Sequence, residues 1–174
     1  MPDVESTGAM GGHVVIVGPM GSGKTTLARG LARALGWEVF DSDLSISERT
    51  GRIGREIAES DGVDVLHRLE ADVLLDALAN PDPAVVAAAA SVIEDPEVRE
   101  ALEDAYCVWV TADPDILAER SARGSHRRAV ARHEDLGHRD LLFEEAADLV
   151  VDTGELSEAE SLRQVLEAIE ASRR

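Results

Sequence analysis

Gly18-Pro19-Met20-Gly21-Ser22-Gly23-Lys24-Thr25-Thr26 joins the apolar run Val14-Val15-Ile16-Val17 to a helical pattern carrying Leu27, Leu31 and Leu35. Glycines at this spacing let successive backbone N–H groups curl around phosphate oxygens, and the helix that follows adds partial positive charge at its N-terminus. In such a strand–loop–helix, Gly21, Ser22, Gly23, Lys24, Thr25 and Thr26 would hold a nucleotide's phosphates. Lys24 would reach the β- and γ-phosphates, and the Thr25 hydroxyl would take a place on Mg²⁺. Lys24 is also the only lysine in a chain that uses arginine for every other cation. A compact, flexible ammonium and a planar guanidinium do different work at a phosphate.

Asp41 and Asp43 supply the second chemistry. They follow the short apolar stretch Val39-Phe40, sixteen residues after Thr25. If the strand continues through them, residues i and i+2 face one side and both carboxylates enter one crevice. One would bind Mg²⁺ and the other would orient an acceptor hydroxyl or take its proton. The bland reading is that the pair caps the next helix.

These residues need a scaffold of strands ending at the site. The pattern predicts strands at His13–Val17, 38–40, 84–90, Tyr106–Thr111 and Leu149–Asp152. Between them it predicts helices at Lys24–Leu35, 44–49, 53–60, 63–79, 96–104, 114–122, 139–147 and 157–171. Alternating strands and helices make an α/β chain with a parallel sheet and helices on both faces. Residues 1–12 read as a tail and 13–174 as one domain. The stretch 123–138, poor in periodicity, reads as a mobile loop.

Composition limits the partners. The 174 residues carry a net charge of −18, which argues against a polyanion such as nucleic acid bound over a broad surface. Yet residues 120–139 hold six arginines against Glu134 and Asp135. A compact basic segment in an acidic chain suits a small anion such as ATP. No apolar run approaches the ~18 residues of a membrane span, and Cys107 is the only cysteine. The expectation is a cytoplasmic monomer without disulfides.

From Val14 to about Ile169 the chain resembles the shikimate kinase family, within the nucleoside monophosphate kinase-like P-loop group. The resemblance is carried by residues 18–26, Phe40-Asp41-Ser42-Asp43, Arg49-Thr50-Gly51-Arg52-Ile53, Leu69-Glu70, Asp95-Pro96-Glu97-Val98-Arg99, and the stretch from Arg139 through Asp152-Thr153. It implies a three-layer α/β/α fold with a five-stranded parallel sheet, ATP and Mg²⁺ as cofactors, and a small anionic hydroxylated acceptor. The acceptor-binding helices would span about 44–79 and a lid about 123–138. By the same resemblance Asp41 is the metal-associated carboxylate and Asp43 engages the hydroxyl to be phosphorylated. Arg128 is the lid arginine at the γ-phosphate, and Arg120 or Arg123 flanks the adenine. Arg139 holds the acceptor's carboxylate, and His67 and Ala90 occupy two further acceptor positions.

Two of these positions depart from the family pattern. His67 stands where a carboxylate-binding arginine is expected, and a missing charge-assisted hydrogen bond costs ~1.5–3 kcal/mol, roughly 10- to 150-fold in affinity. Ala89-Ala90-Ser91 replaces a Gly-Gly-Gly turn, adding Cβ atoms where amides would approach the ligand. The nucleotide half is complete and the acceptor half is altered. Shikimate is the leading acceptor. The alternatives are a kinase of another small hydroxylated substrate, of gluconate type, and a non-catalytic ATP-binding or regulatory protein.

Overall fold

The computed structural model describes residues 12–123 and 133–174, the side chains of 133–136 excepted. Five parallel strands form one sheet in the order β2-β3-β1-β4-β5, with β1 at His13–Val17, β2 at Glu38–Asp41, β3 at Ala84–Ala87, β4 at Tyr106–Thr111 and β5 at Leu149–Asp152. Among the described residues eight α-helices connect and flank them: α1 Lys24–Leu35, α2 Ser42–Thr50, α3 Gly54–Ser60, α4 Val63–Leu78, α5 Pro96–Leu102, α6 Pro114–Arg123, α7 His133–Ala146 and α8 Glu158–Ser172. A 3-10 turn spans Ala90–Glu94.

The central strand shows why the sheet needs helices on both sides. Every residue of β1 is buried, and its alternate side chains enter different cores, as a period of two requires. Val14 and Ile16 pack with Leu27, Leu31, Val165 and Ile169 of α1 and α8. Val15 and Val17 pack on the opposite face with Leu74 of α4, Val98 of α5 and Phe143 of α7. Each such aliphatic side chain contributes about 1.5–3 kcal/mol by leaving water. A smaller cluster of Ile46, Ile57 and Val73 ties α2, α3 and α4 together.

Several element boundaries differ from the sequence reading, those of β3, α2 and α7 among them. Strand β3 stops at Ala87 rather than residue 90. Ala88 N–H still donates to Ile16 O (3.0 Å), but β1 leaves the sheet at Val17 and offers nothing further to pair with. Helix α2 begins at Ser42, because the Asp41 carboxylate accepts from the Asp43 and Leu44 N–H groups at 3.0 and 3.4 Å and starts the helix there. Asp43 therefore sits in a first helical turn, and strand alternation does not govern its direction. Helix α7 begins at His133, so 133–138 is helix and not loop. The rest of the expected lid, with Arg128, lies outside the described residues.

Candidate functional site

Gly18 leaves β1 at φ 145°, and a Cβ there would stand 2.1 Å from Val110 O. Only glycine lets the loop turn so close beside β4. Gly21, at φ 81°, is packed as tightly against α6, where a Cβ would meet Ser121 Oγ at 2.9 Å and Leu117 O at 3.0 Å. The loop is thereby pressed between β4 and α6, and its amides have little freedom left to lose on binding an anion. It borders a hollow of about 180 Å³ lined by Gly21, Gly23, Lys24, Thr25 and Thr26. Lys24 Nζ donates to Gly18 O at 2.8 Å and Pro19 O at 2.9 Å, which folds the side chain back over the loop.

Beside this hollow Thr25 Oγ1 donates to Asp41 Oδ2 at 2.8 Å. Asp41 thus caps the next helix, the bland alternative, and also meets the Thr25 hydroxyl. Its Oδ1 caps α2 while its Oδ2 meets Thr25. A hydroxyl and a carboxylate oxygen at a phosphate cradle form a hard-oxygen donor set that fits Mg²⁺, which takes few protein ligands and completes its shell with water and substrate phosphate.

A larger groove of about 830 Å³ runs from Gly23 and Thr26 along α1 to α8, lined also by Arg120, Thr153 and Leu162. Arg120 clamps its inner end. Its guanidinium donates to Thr153 Oγ1 (3.0 Å), Thr153 O (2.9 Å) and Gly21 O (3.4 Å), tying α6 to the phosphate loop and to the turn after β5. Thr153 Oγ1 donates onward to Ser22 O at 2.6 Å, and buried Ser22 closes the loop's inner side. Arg123 is turned elsewhere, paired with Glu119 on the exposed face of α6. Arg120→Ala is expected to raise the Kd for ATP about tenfold or more by loosening this clamp, as read by calorimetry.

On the other side of Lys24 lies a group that the sequence reading used only as an alignment marker. Glu70 on α4 accepts a short hydrogen bond from Ser91 Oγ on the 3-10 turn. Burial pushes its carboxyl up to about 7; the Ser91 hydroxyl, Arg139 and Lys24 oppose the shift, and the nearby Asp43 charge adds to it. Asp43, Lys24 and Arg139, from three other elements, therefore lie within electrostatic reach of Glu70. One signal was available: with Leu66 and Leu74 a turn either side, Glu70 lies on the apolar stripe of α4, where an acid is unexpected.

The raised value has a consequence for stability. A carboxyl whose folded pKa lies above its unfolded one stabilises the protein below about 4.5, and that contribution is lost as pH rises through about 7. The difference amounts to about 3 kcal/mol. Urea unfolding should show wild type losing stability between pH 5 and 8 relative to Glu70→Gln. Parallel pH curves for the two proteins would refute the shift.

Ala89 and Ala90 replace the expected glycines without strain. Ala89 is extended at φ −67° and Ala90 opens the 3-10 turn, so no left-handed residue is required there. Arg99 Nη1 holds the turn by donating to Ile93 O at 2.7 Å. His67 is half-buried on α4, three residues before Glu70.

The chain matches known proteins over nearly its whole length. The shikimate kinase family model covers residues 20–170. The shikimate kinase of Methylococcus capsulatus is 34% identical over 168 residues, 92% of this chain and 93% of that protein. The shikimate kinase of Dechloromonas aromatica is 36% identical over 152 residues, 83% of this chain and 82% of that protein. A solved structure of shikimate kinase from Acinetobacter baumannii in complex with shikimate superposes with a TM-score of 0.81 at 28% identity, covering 91% of this chain and 93% of that one. A gluconokinase from Sinorhizobium meliloti, covering 94% of each chain at a TM-score of 0.62 and 19% identity, shares the fold alone. Matched by the family model over most of its length and by full-length relatives above 30% identity, the chain belongs to the shikimate kinase family.

Proposed function

We propose that the protein transfers the γ-phosphate of ATP to a hydroxyl of shikimate or a closely related small hydroxy acid. The observation that carries this reading is that Lys24 of the phosphate loop, Asp43 and Arg139 all lie within electrostatic reach of buried Glu70. A protein that only bound ATP would need the loop and nothing on its far side.

The residues divide the work by position. The loop amides and Lys24 hold the β- and γ-phosphates and meet the negative charge that spreads over the transferred group. Thr25 and Asp41 would hold Mg²⁺, which supplies further neutralisation of the phosphate oxygens when bound. Asp43, exposed on the first turn of α2, orients the acceptor hydroxyl and takes its proton as the new O–P bond forms and the bond to the β-phosphate oxygen breaks. Arg120 and the groove between α1 and α8 receive the nucleoside. Helices α2, α3 and α4 form the acceptor side, with His67, Ala90 and Arg139 bordering it, and Arg128 completes the phosphate contacts from the lid. Arg123, turned toward Glu119, would join the nucleoside only by exchanging that partner. The same reading includes a cytoplasmic monomer; among the described residues no helix is long and apolar enough to cross a membrane.

The test is ADP release from Mg²⁺–ATP with and without millimolar shikimate. Strong dependence on shikimate supports the reading. Release that ignores shikimate, with ATP binding intact, refutes shikimate as the acceptor and moves the search to other small hydroxylated compounds.

A further inference from the structure

Arg139 stands one turn before Phe143 on α7. The Phe143 ring is buried and stacks on Trp109 with centroids 5.9 Å apart, which fixes this face of α7. The guanidinium that results is only 13% exposed and lies close enough to Glu70 to lower its pKa. Its partner is Glu94, the last residue of the 3-10 turn, with Nε to Oε1 at 3.2 Å and Nη2 to Oε2 at 3.4 Å.

Both contacts are long for a charge-assisted pair, which closes to ~2.7–2.9 Å when well aligned. The Nε–H, moreover, is buried without an aligned acceptor. A planar fork matched to carboxylate geometry is thus withdrawn from water and loosely satisfied. Glu94, 36% exposed, has water to turn into when it is displaced.

We infer that Glu94 is a specificity-determining residue of the acceptor site: its carboxylate occupies the place on Arg139 that the acceptor's carboxylate takes, so acceptor binding is an exchange of one carboxylate for another. This rests on the reading of the acceptor side given above. An acceptor without a carboxylate leaves the Glu94–Arg139 pair intact and gains nothing from Arg139. An acceptor with one must out-compete a tethered rival, and aligned bonds to the buried Nε–H let it do so. With His67 offering no second guanidinium, this exchange dominates discrimination by charge.

The experiment compares wild type with Glu94→Gln, which keeps the shape and removes the charge. Two readouts are taken: KM and kcat for shikimate, and its Kd by calorimetry in the presence of ADP. The neutral methyl ester of shikimate is titrated in parallel. A partly exposed pair is worth up to about fivefold in affinity, so KM and Kd for shikimate should fall about two- to fivefold. The values for ATP and for the ester should stay in place, with kcat little changed. A merely structural pair would instead lower the melting temperature and shift all ligands together, and that result overturns the inference. So does turnover in both proteins with identical KM and Kd. Tighter shikimate binding by the variant with no turnover in either protein would refute the kinase reading and keep this one. Absence of shikimate binding in both proteins would refute both.

Discussion

Lys24→Met is expected to cut acceptor-dependent ADP release to below about one thousandth of wild type, since removing even a single neutral donor from a transition-state cradle costs about 10²–10³ and Lys24 also carries full charge. Methionine keeps the length and the apolar stem, so the loss isolates the ammonium. The ammonium's bonds to Gly18 O and Pro19 O hold the loop's own carbonyls, and losing them loosens one turn without touching the buried strand behind it. A thermal melt close to wild type, together with vanished turnover, is the expected pair of results. Near-normal turnover would end the proposed mechanism. Lys24→Arg should not rescue, because a planar fork cannot stand in for a compact ammonium here.

Asp43→Asn should separate nucleotide from acceptor. Its expected effect is a fall in kcat of about 10²- to 10⁴-fold, the usual worth of a positioned general base, with the Kd for ATP within about twofold. The amide is isosteric, and Asp43 is exposed on the first turn of α2, where the cap comes from Asp41 and not from Asp43 itself. The helix should therefore survive. Single-turnover kinetics measure the transfer step and calorimetry measures ATP. Lost ATP affinity with transfer preserved would contradict the division of roles. Asp43 also adds its charge to the forces raising the Glu70 pKa. The variant should therefore lower that value as well, which a pH series of unfolding can read alongside the kinetics.

The parts of the fold legible from sequence were those set by neighbours along the chain. His13–Val17, Tyr106–Thr111 and Leu149–Asp152 are short runs rich in β-branched residues, and each is a strand over those residues. Lys24–Leu35 is closed by Gly36 in the left-handed conformation, a stop written in one residue. The boundaries that moved depended on something distant. Where β3 ends depends on where β1 leaves the sheet, which the alanines of β3 do not reveal. The start of α2 depends on a carboxylate that caps the helix and meets Thr25 at once, a contact between residues sixteen apart. In the site, the phosphate loop was legible because its chemistry is contiguous. Glu70 and Ser91 are 21 residues apart, and Glu94 and Arg139 are 45 apart. Ser91 and Glu94 look like ordinary polar residues when taken singly, and neither Glu70 nor Arg139 names its partner in the sequence. Only the packing of α4 and α7 against the 3-10 turn makes them part of one site.

The seat of Lys24 bears on how this protein can be handled and modified. The chain has a single side-chain amine, and it is the one folded over the phosphate loop. Its single thiol, Cys107, is buried, with the pKa pushed up to about 12, so it takes almost no part in nucleophilic chemistry near neutrality. Within these 174 residues any acylating reagent, whether a laboratory ester or a metabolic acyl donor, therefore finds one side-chain amine, the one that the proposed function sets against phosphate. Its acetylation removes the same charge that Lys24→Met removes. On the proposed function bound nucleotide shields that amine, so the fraction of chains acylated at Lys24, separated from the N-terminus by peptide mapping, would count the empty sites.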